Sequence, residues 1–209
     1  MTHPSYIRVL SVDDHPLMRD GIASLINVQA DMRMVAQAES GREAVEKFRE
    51  HRPDVALMDL RLPDMSGIEA TIAILGAFPD AKIVILTTFE GDVEIKRALA
   101  AGARGYVLKS TAPKDLAQVI RRVHAGQRQI PADVATQLAE HLGEESLTGR
   151  ERDVLQHVAG GNRNREIAVR LAISEDTVKV HVKHIMAKLG AADRTGAVTT
   201  ALRRGIIQL

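Results

Sequence analysis

Five short apolar runs, separated by amphipathic segments, dominate the first 124 residues of the chain. The runs are 7–12, 32–38, 55–60, 82–88 and 105–109. The amphipathic segments that follow them are 16–27, 41–50, 67–77, 91–101 and 113–125. This fivefold alternation predicts a parallel β-sheet with helices on both faces. The runs are apolar throughout rather than alternating, as expected for parallel strands that are buried on both sides.

The last third of the chain shows a different pattern, because the strand signal disappears after residue 147. Helical segments lie near 149–160, 163–171, 174–189 and 193–204. We therefore predict three parts: an α/β domain over 1–124, a partly helical linker over 125–146 and an all-helical domain over 147–209. Within the linker, weak helical character is confined to about 132–142.

The charge of the chain is distributed unevenly between these parts. Residues 146–209 carry 11 Lys and Arg against 6 Asp and Glu, whereas residues 1–124 carry 16 against 17. A basic excess in the helical domain predicts an anionic partner there. The chain contains no cysteine, which excludes disulfides and thiolate metal sites. No apolar run approaches the roughly 18–20 residues that span a bilayer, so we expect a cytoplasmic protein without membrane insertion.

Polar residues stand where four of the predicted strands end. Asp13 and Asp14 follow the first strand, and Asp59, Thr87 and Lys109 lie at the ends of the third, fourth and fifth. Ligands of open α/β sheets bind at this edge. Three carboxylates close together require a cation, and oxygen ligands on open loops suit Mg²⁺. An aspartate can itself accept a phosphoryl group. The pattern predicts phosphoryl transfer onto Asp59, with Thr87 and Lys109 contacting the group.

The motifs that contain these residues resemble a known family. "VDDHPLMRDGI", "VALMDLRLPDMSGIEA", "ILTTFE" and "AGARGYVLKS" are similar to the receiver domain of two-component response regulators over residues 6–124. The resemblance implies a flavodoxin-like, doubly wound (βα)5 fold with strand order 2-1-3-4-5. It also implies that Asp59 is the phosphoacceptor and Tyr106 the switch aromatic. Mg²⁺ would be held by Asp13, Asp14, Asp59 and the backbone carbonyl of Arg61. Ser110 departs from the family, since many receivers have a cis-proline there.

The helical domain contains the pattern of a helix-turn-helix. Thr148 and Glu151 form a capping-box signature, and Ser174 is a natural N-cap for a later helix. That helix has an apolar face made by Val178, Val182, Ile185 and Leu189. Its outward side and flanks suit a major groove, and we predict DNA contacts from Thr177, Lys179, Val180, Lys183, His184 and Lys188. Composition alone leaves a second interpretation open, a helical bundle with a solvated basic face.

A second resemblance favours DNA. "LTGRERDVL", "NREIAVRLAISEDTVKVHVKHIMAKLG" and "DRTGAV" are similar to the LuxR-type output domain over residues 147–204. The whole chain therefore resembles a response regulator of the NarL/FixJ type. The resemblance implies a transcription regulator that a sensor histidine kinase phosphorylates on Asp59. It further implies dimerisation on phosphorylation, pairing through the helix from Asp193, and binding of double-stranded DNA at paired half-sites.

Two other functions are compatible with parts of the sequence. A Mg²⁺-dependent phosphatase could use the aspartyl-phosphate, but it would need a general acid two positions after the nucleophile, where this chain has Arg61. A DNA-binding protein could instead use the α/β domain only as a dimerisation scaffold, although a scaffold has no need of the polar edge. We expect a protein that accepts and slowly hydrolyses its phosphoryl group without being a dedicated enzyme.

Overall fold

The computed structural model describes residues 6–88, 91–130, 136 and 145–207. Its first unit contains a five-stranded parallel sheet with the order β2-β1-β3-β4-β5, as the sequence predicts. The strands are β1 (Ile7–Val12), β2 (Met32–Ala38), β3 (Val55–Asp59), β4 (Ile83–Thr87) and β5 (Gly105–Leu108). The last three end one residue earlier than predicted, because the chain leaves the sheet immediately after the residues of the polar edge.

Five helices alternate with the strands. They are α1 (Pro16–Val28), α2 (Gly41–His51), α3 (Gly67–Ala77), α4 (Asp92–Ala100) and α5 (Pro113–His124). Ile22 and Ile26 of α1 and Ile120 of α5 are buried with strand residues such as Val9 and Leu57 in one hydrophobic cluster. Helices α2 and α3 contact each other. The five helix positions agree with the sequence prediction, because apolar residues at helical spacing must cover the apolar faces of the sheet.

The second compact unit includes residues 145–207, which form four helices. They are α6 (Gly149–Ala159), α7 (Asn164–Leu171), α8 (Glu175–Lys188) and α9 (Arg194–Arg203). The side chains of Thr148, Ser174 and Asp193 cap α6, α8 and α9, each by accepting a hydrogen bond from a backbone N–H of the first turn. Ala172 adopts a left-handed conformation (φ 53°), which makes the turn between α7 and α8 tight.

The structure also bears on the linker, on the peptide bond after Lys109 and on membrane insertion. The weak helix predicted over 132–142 lies outside the described residues, apart from Thr136. The Lys109–Ser110 peptide bond is trans, like every other peptide bond of the described residues. Within the described ranges, no helix is long and apolar enough to cross a membrane.

Gly67 fixes the connection between β3 and α3. Its backbone N–H donates to the carbonyl of Leu60 over 2.9 Å. A Cβ atom at this position would lie 1.9 Å from the backbone carbonyl oxygen of Asp59, far inside van der Waals contact. Only glycine therefore allows α3 to begin directly against the strand end that carries Asp59. This close approach gives the glycine of "DMSG" a steric role.

Replacing Gly67 by alanine is expected to destabilise the sheet unit by about 1–3 kcal/mol or more, because backbone must move to relieve the overlap. Gly21 provides a matched control, since it lies in the interior of α1 and a Cβ there would meet nothing within 4 Å. Gly21→Ala should stabilise the unit by about 0.5–1 kcal/mol. Hydrogen exchange of sheet peptides, followed by mass spectrometry, measures both effects. Equal protection in the two variants would refute the steric role of Gly67.

Candidate functional site

The polar edge of the sheet unit is assembled by strand order. Because β1, β3, β4 and β5 are parallel neighbours, their carboxyl ends lie side by side. Asp13 and Asp14 follow β1, while Asp59 and Thr87 are the last residues of β3 and β4. Lys109 follows β5, and its backbone N–H donates to the carbonyl of Thr87 over 2.7 Å. The structure thus brings together five residues from four separate parts of the sequence.

Lys109 is the electrostatic centre of this edge. Its Nζ lies 2.7 Å from Oδ2 of Asp13 and 2.7 Å from Oδ2 of Asp59. All three side chains are nearly inaccessible, with exposed fractions of 8%, 0% and 5%. Two buried carboxylates would repel each other strongly in a medium of low dielectric constant. One ammonium placed between them allows both to stay charged.

Burial and pairing act in opposite directions on these groups. Burial raises the pKa of the Asp59 carboxyl, and the hydrogen bond and charge of Lys109 only partly offset this rise. Burial alone would lower the pKa of the Lys109 ammonium. Its hydrogen bonds to Asp13 and Asp59 outweigh this effect, so the Lys109 pKa is raised. Asp59 is therefore an unusually basic carboxylate whose charged form depends on neighbouring cations.

His15 joins the site in a way that the sequence reasoning missed. Its side chain is 71% exposed, as expected of a surface residue, yet its Nδ1 lies 2.7 Å from Oδ1 of Asp14 and 3.2 Å from Oδ1 of Asp13. Asp13, Asp14, His15 and Asp59 each offer a ligand atom within 4.8 Å of the others. The adjacency of His15 to the aspartate pair was the available signal. The cluster has the size and the donor atoms of a divalent cation site.

The remaining predicted residues of this edge lie around Asp59. The backbone N–H of Arg61 donates to Oδ1 of Asp59 over 3.3 Å. Thr87 is buried, with 2% of its surface exposed. Tyr106, the predicted switch aromatic, is completely buried. Its ring therefore occupies an inward position, although β5 is an edge strand of the sheet.

Helix α8 presents the predicted DNA-contacting surface. Val178 and Ile185 are buried in the core of the helical unit, and Val182 and Leu189 pack against it, as the apolar spacing predicts. The opposite side is exposed and carries Thr177, Lys179, Val180, Lys183 and His184. Val180 is an exposed large apolar residue at 51%. Lys179 lies 2.9 Å from Asp176, so its ammonium has a local partner.

Lys188 differs from the other predicted DNA contacts. Its Nζ lies 3.0 Å from Oε2 of Glu151, and its side chain is only 19% exposed. The same carboxylate accepts hydrogen bonds from the backbone N–H and the hydroxyl of Thr148, at 2.8 and 3.0 Å. Burial opposes the Glu151 charge, but these bonds outweigh it and lower the Glu151 pKa. Lys188 therefore fastens the end of α8 to the start of α6, a contact between helices that sequence spacing does not reveal.

Both units match known families. Residues 9–121 match the response regulator receiver domain, and residues 145–201 match the luxR family of bacterial regulatory proteins. The chain is 42% identical over 214 residues to the uncharacterized transcriptional regulatory protein YxjL of Bacillus subtilis, covering 97% of this chain and 98% of YxjL. It is 41% identical over 207 residues to the response regulator protein VraR of Staphylococcus aureus, covering 97% and 99%.

Solved structures agree with these matches. A LuxR-family two-component response regulator from Aurantimonas is 40% identical, with a TM-score of 0.63, over 66% of this chain and 99% of that one. The response regulator RcsB, solved in complex with DNA, is 26% identical with a TM-score of 0.71, over 95% and 98%.

The Glu151 network generates a prediction for the helical unit. Glu151→Gln should destabilise this unit by about 1–3 kcal/mol near neutral pH, because a buried charge pair is lost. The folded-state pKa of Glu151 lies below its ordinary value of 4.5, so the stabilisation is complete above that pH. The difference between parent and variant should therefore shrink as pH falls below about 4.5.

The matched control is Glu69→Gln, because Glu69 occupies the same position in the capping box of α3 but is exposed. It should change stability by less than about 0.5 kcal/mol. Hydrogen exchange of peptides from α6 and α8 reports the first effect, and peptides from α3 report the second. A Glu151→Gln variant with unchanged exchange at neutral pH would contradict the proposed fastening of α8.

Proposed function

The chain belongs to the LuxR-family response regulators, which makes it a phosphorylation-controlled transcription regulator, and from this premise we propose that Asp59 is the phosphoacceptor. The observation that carries the proposal is the 2.7 Å contact between Asp59 and Lys109 at the buried carboxyl end of β3. Asp13 and Asp14 stand beside it and supply further negative charge. Asp64 lies in the loop that follows β3, and its carboxylate accepts hydrogen bonds from the backbone N–H groups of Gly41 and Arg42.

The reaction that we propose is nucleophilic substitution at phosphorus. A carboxylate oxygen of Asp59 forms a new bond to the phosphorus atom of a phosphohistidine on a sensor histidine kinase, and the phosphorus–nitrogen bond breaks. The leaving imidazole keeps the bonding electron pair and takes up a proton. Lys109 remains beside the acyl phosphate, where its charge offsets that of the phosphoryl oxygens.

We propose that the cation of this site is Mg²⁺, held by Asp13, Asp14, Asp59 and the backbone carbonyl of Arg61. The fit is supported by the clustering of the carboxylate oxygens within 4.8 Å, since hard oxygen donors are the ligands that Mg²⁺ prefers. When bound, the ion neutralises charge on the phosphoryl oxygens. His15 hydrogen-bonds to the same aspartates, so we expect its ring to orient Asp14.

We propose that the chemistry stops at accepting the phosphoryl group and hydrolysing it slowly, so that the protein is not a dedicated enzyme. A phosphatase acting on small substrates would need an acid near the leaving group, and the residue two positions after Asp59 is Arg61. Because the proposed partners are DNA and the kinase, we also propose that the protein acts in the cytoplasm.

We propose that α8 binds the major groove of double-stranded DNA through Thr177, Lys179, Val180, Lys183 and His184. These side chains form the exposed face of α8, whose opposite face packs into the core of the helical unit through Val178 and Ile185. Lysines suit phosphates or guanine edges, and the exposed Val180 suits a thymine methyl. Lys188 is assigned to positioning α8 through Glu151 rather than to DNA.

Asp59→Asn should abolish phosphorylation, because an amide oxygen is a far weaker nucleophile and forms no stable acyl phosphate. The measurement is the intact mass of the protein after incubation with acetyl phosphate and Mg²⁺. Asp64→Asn is the matched control, since Asp64 lies in the same connection and should still allow a single phosphate. Asp14→Ala should need a higher Mg²⁺ concentration for the same yield. Phosphorylation of Asp59→Asn at the rate of the parent would reject Asp59.

Lys183→Ala should weaken DNA binding and reduce the slope of log affinity against log salt by about one unit, if Lys183 contacts one phosphate. Lys114→Ala removes another exposed lysine, on α5, and should leave the slope unchanged. Fluorescence anisotropy on DNA selected from a random pool measures both variants across a salt series. Identical slopes for Lys183→Ala and the parent would place Lys183 away from the duplex.

We propose that phosphorylation promotes a homodimer that binds two related half-sites. Phosphorylation adds nearly two negative charges beside Lys109 and Thr87, which changes the local balance of charge at the ends of β4 and β5. Two linked helix-turn-helix units gain affinity by effective concentration, whereas one makes few base contacts. The exposed residues Thr195 and Thr199 mark one outward side of α9, the predicted pairing helix.

The dimer is tested by light scattering at micromolar protein, with and without acetyl phosphate, in parallel with DNA footprinting. The phosphorylated parent should double its mass and protect two half-sites, whereas Asp59→Asn should stay monomeric under the same conditions. A phosphorylated protein that remains monomeric and protects a single half-site would contradict this proposal.

A further inference from the structure

The loop of residues 60–66 connects β3 to α3 and contains Arg61, two positions after Asp59. Two hydrogen bonds close the base of this loop. The backbone N–H of Gly67 donates to the carbonyl of Leu60 over 2.9 Å, and the backbone N–H of Arg61 donates to Oδ1 of Asp59 over 3.3 Å. The loop is therefore tied to the end of the strand that carries Asp59.

Asp64 ties the same loop to a second element, the N-terminus of α2. Its Oδ1 accepts hydrogen bonds from the backbone N–H groups of Gly41 and Met65, over 2.8 and 2.9 Å. Its Oδ2 accepts a hydrogen bond from the backbone N–H of Arg42 over 3.0 Å. Gly41 and Arg42 are the first residues of α2, where backbone N–H groups find no acceptor within the helix. One carboxylate thus joins the loop to α2.

Charge and packing both strengthen this contact. Hydrogen bonds from backbone N–H groups, that of Arg42 first, lower the pKa of the Asp64 carboxyl, so it is charged at neutral pH. A negative charge is favourable at the N-terminus of a helix. Gly41 also packs closely against the loop, because a Cβ atom there would lie only 2.3 Å from Cγ of Met65.

The segment between the two ties is short and has little conformational freedom. Only Arg61, Leu62 and Pro63 separate Leu60 from Asp64. The ring of Pro63 fixes its own φ, and a residue that precedes proline, here Leu62, is restricted to extended backbone. The orientation of the Arg61 backbone therefore depends on where Asp64 holds the far end of the segment.

Helix α2 has an N-cap of its own, which makes Asp64 more than a helix cap. The hydroxyl oxygen of Ser40 accepts a hydrogen bond from the backbone N–H of Glu43 over 3.3 Å. The contact made by Asp64 is therefore added to an end that is already capped, and it comes from a loop that leads directly to Asp59.

We propose that Asp64 is a positioning residue for the cation site. By tying the loop to α2, it fixes the backbone of Arg61, whose carbonyl oxygen is the proposed ligand beside Asp13, Asp14 and Asp59. This inference rests on the proposed Mg²⁺ site and adds to it a residue that does not touch the ion. If Asp64 served only to cap α2, the affinity for Mg²⁺ would not depend on it.

The test is the Mg²⁺ affinity of the unphosphorylated full-length protein, measured from amide NMR signals of the sheet unit during a titration with MgCl₂. Asp64→Ala should weaken this affinity by about tenfold or more, as is typical when a group that orients metal ligands is lost. Asp64→Asn should show a clearly smaller loss. Its amide oxygen can still accept from Gly41 and Met65, and only the hydrogen bond from Arg42 is lost.

The two substitutions remove the same charge, so their comparison separates anchoring of the loop from simple attraction of the cation. With acetyl phosphate, Asp64→Ala should need more Mg²⁺ for half of the final yield. At saturating Mg²⁺ it should still gain one phosphate, because Asp59 and Lys109 are unchanged. The dispersion of the sheet signals shows whether each variant is folded, and Asp64→Asn carries the comparison with the parent if Asp64→Ala is not.

Ser40→Ala is the matched control. It removes the N-cap of the same helix end but leaves Asp64 and the loop intact. Hydrogen exchange at the start of α2 should become faster, because an N-cap is lost. The Mg²⁺ affinity should stay that of the parent.

Three results would overturn the inference. Asp64→Ala could bind Mg²⁺ as the parent does, which would make Asp64 a helix cap only. Equal losses in Asp64→Ala and Asp64→Asn would point to charge, and an equal loss in Ser40→Ala would point to a weakened α2. A parent that binds no Mg²⁺ would instead refute the proposed cation site itself, and this inference with it.

Discussion

The buried ion pairs of Lys109 with Asp13 and Asp59 are the constraint on which the sheet unit depends. Nζ reaches both carboxylates at 2.7 Å, where water is nearly excluded. Removing one partner of such a group leaves an uncompensated buried charge, which is costly. The sheet edge is therefore held together by the same charges that a phosphoryl group would disturb. A change at Asp59 must alter the balance around Lys109, and this gives the receiver unit a route from local chemistry to its surface.

The sequence predicts this edge well because the order of the parallel strands determines which strand ends lie side by side. Asp13, Asp59, Thr87 and Lys109 each end or follow a parallel strand, and parallel neighbours place such positions at one edge. The helices are equally predictable, since apolar spacing and caps such as Ser66 and Thr148 are local signals. The family resemblance adds the strand order, which periodicity alone does not supply.

What the sequence does not reveal depends on contacts between distant residues or on rotamers. The helical spacing of α8 suggests that Lys188 lies near DNA. In the structure, its ammonium instead donates a hydrogen bond to Glu151, which lies 37 positions earlier in the chain. His15 directly follows the aspartate pair, but this adjacency alone does not show that its ring turns back toward the two carboxylates.

The central claim is that a phosphoryl group on Asp59 controls DNA binding by α8. The most direct measurement is the equilibrium affinity of the full-length protein for one selected DNA sequence, at fixed salt, before and after phosphorylation. Phosphorylation should increase this affinity by about tenfold or more, within the usual range of coupling between two sites, and Asp59→Asn should not respond. Equal affinities in the two states, or a full response of Asp59→Asn, would contradict the claim.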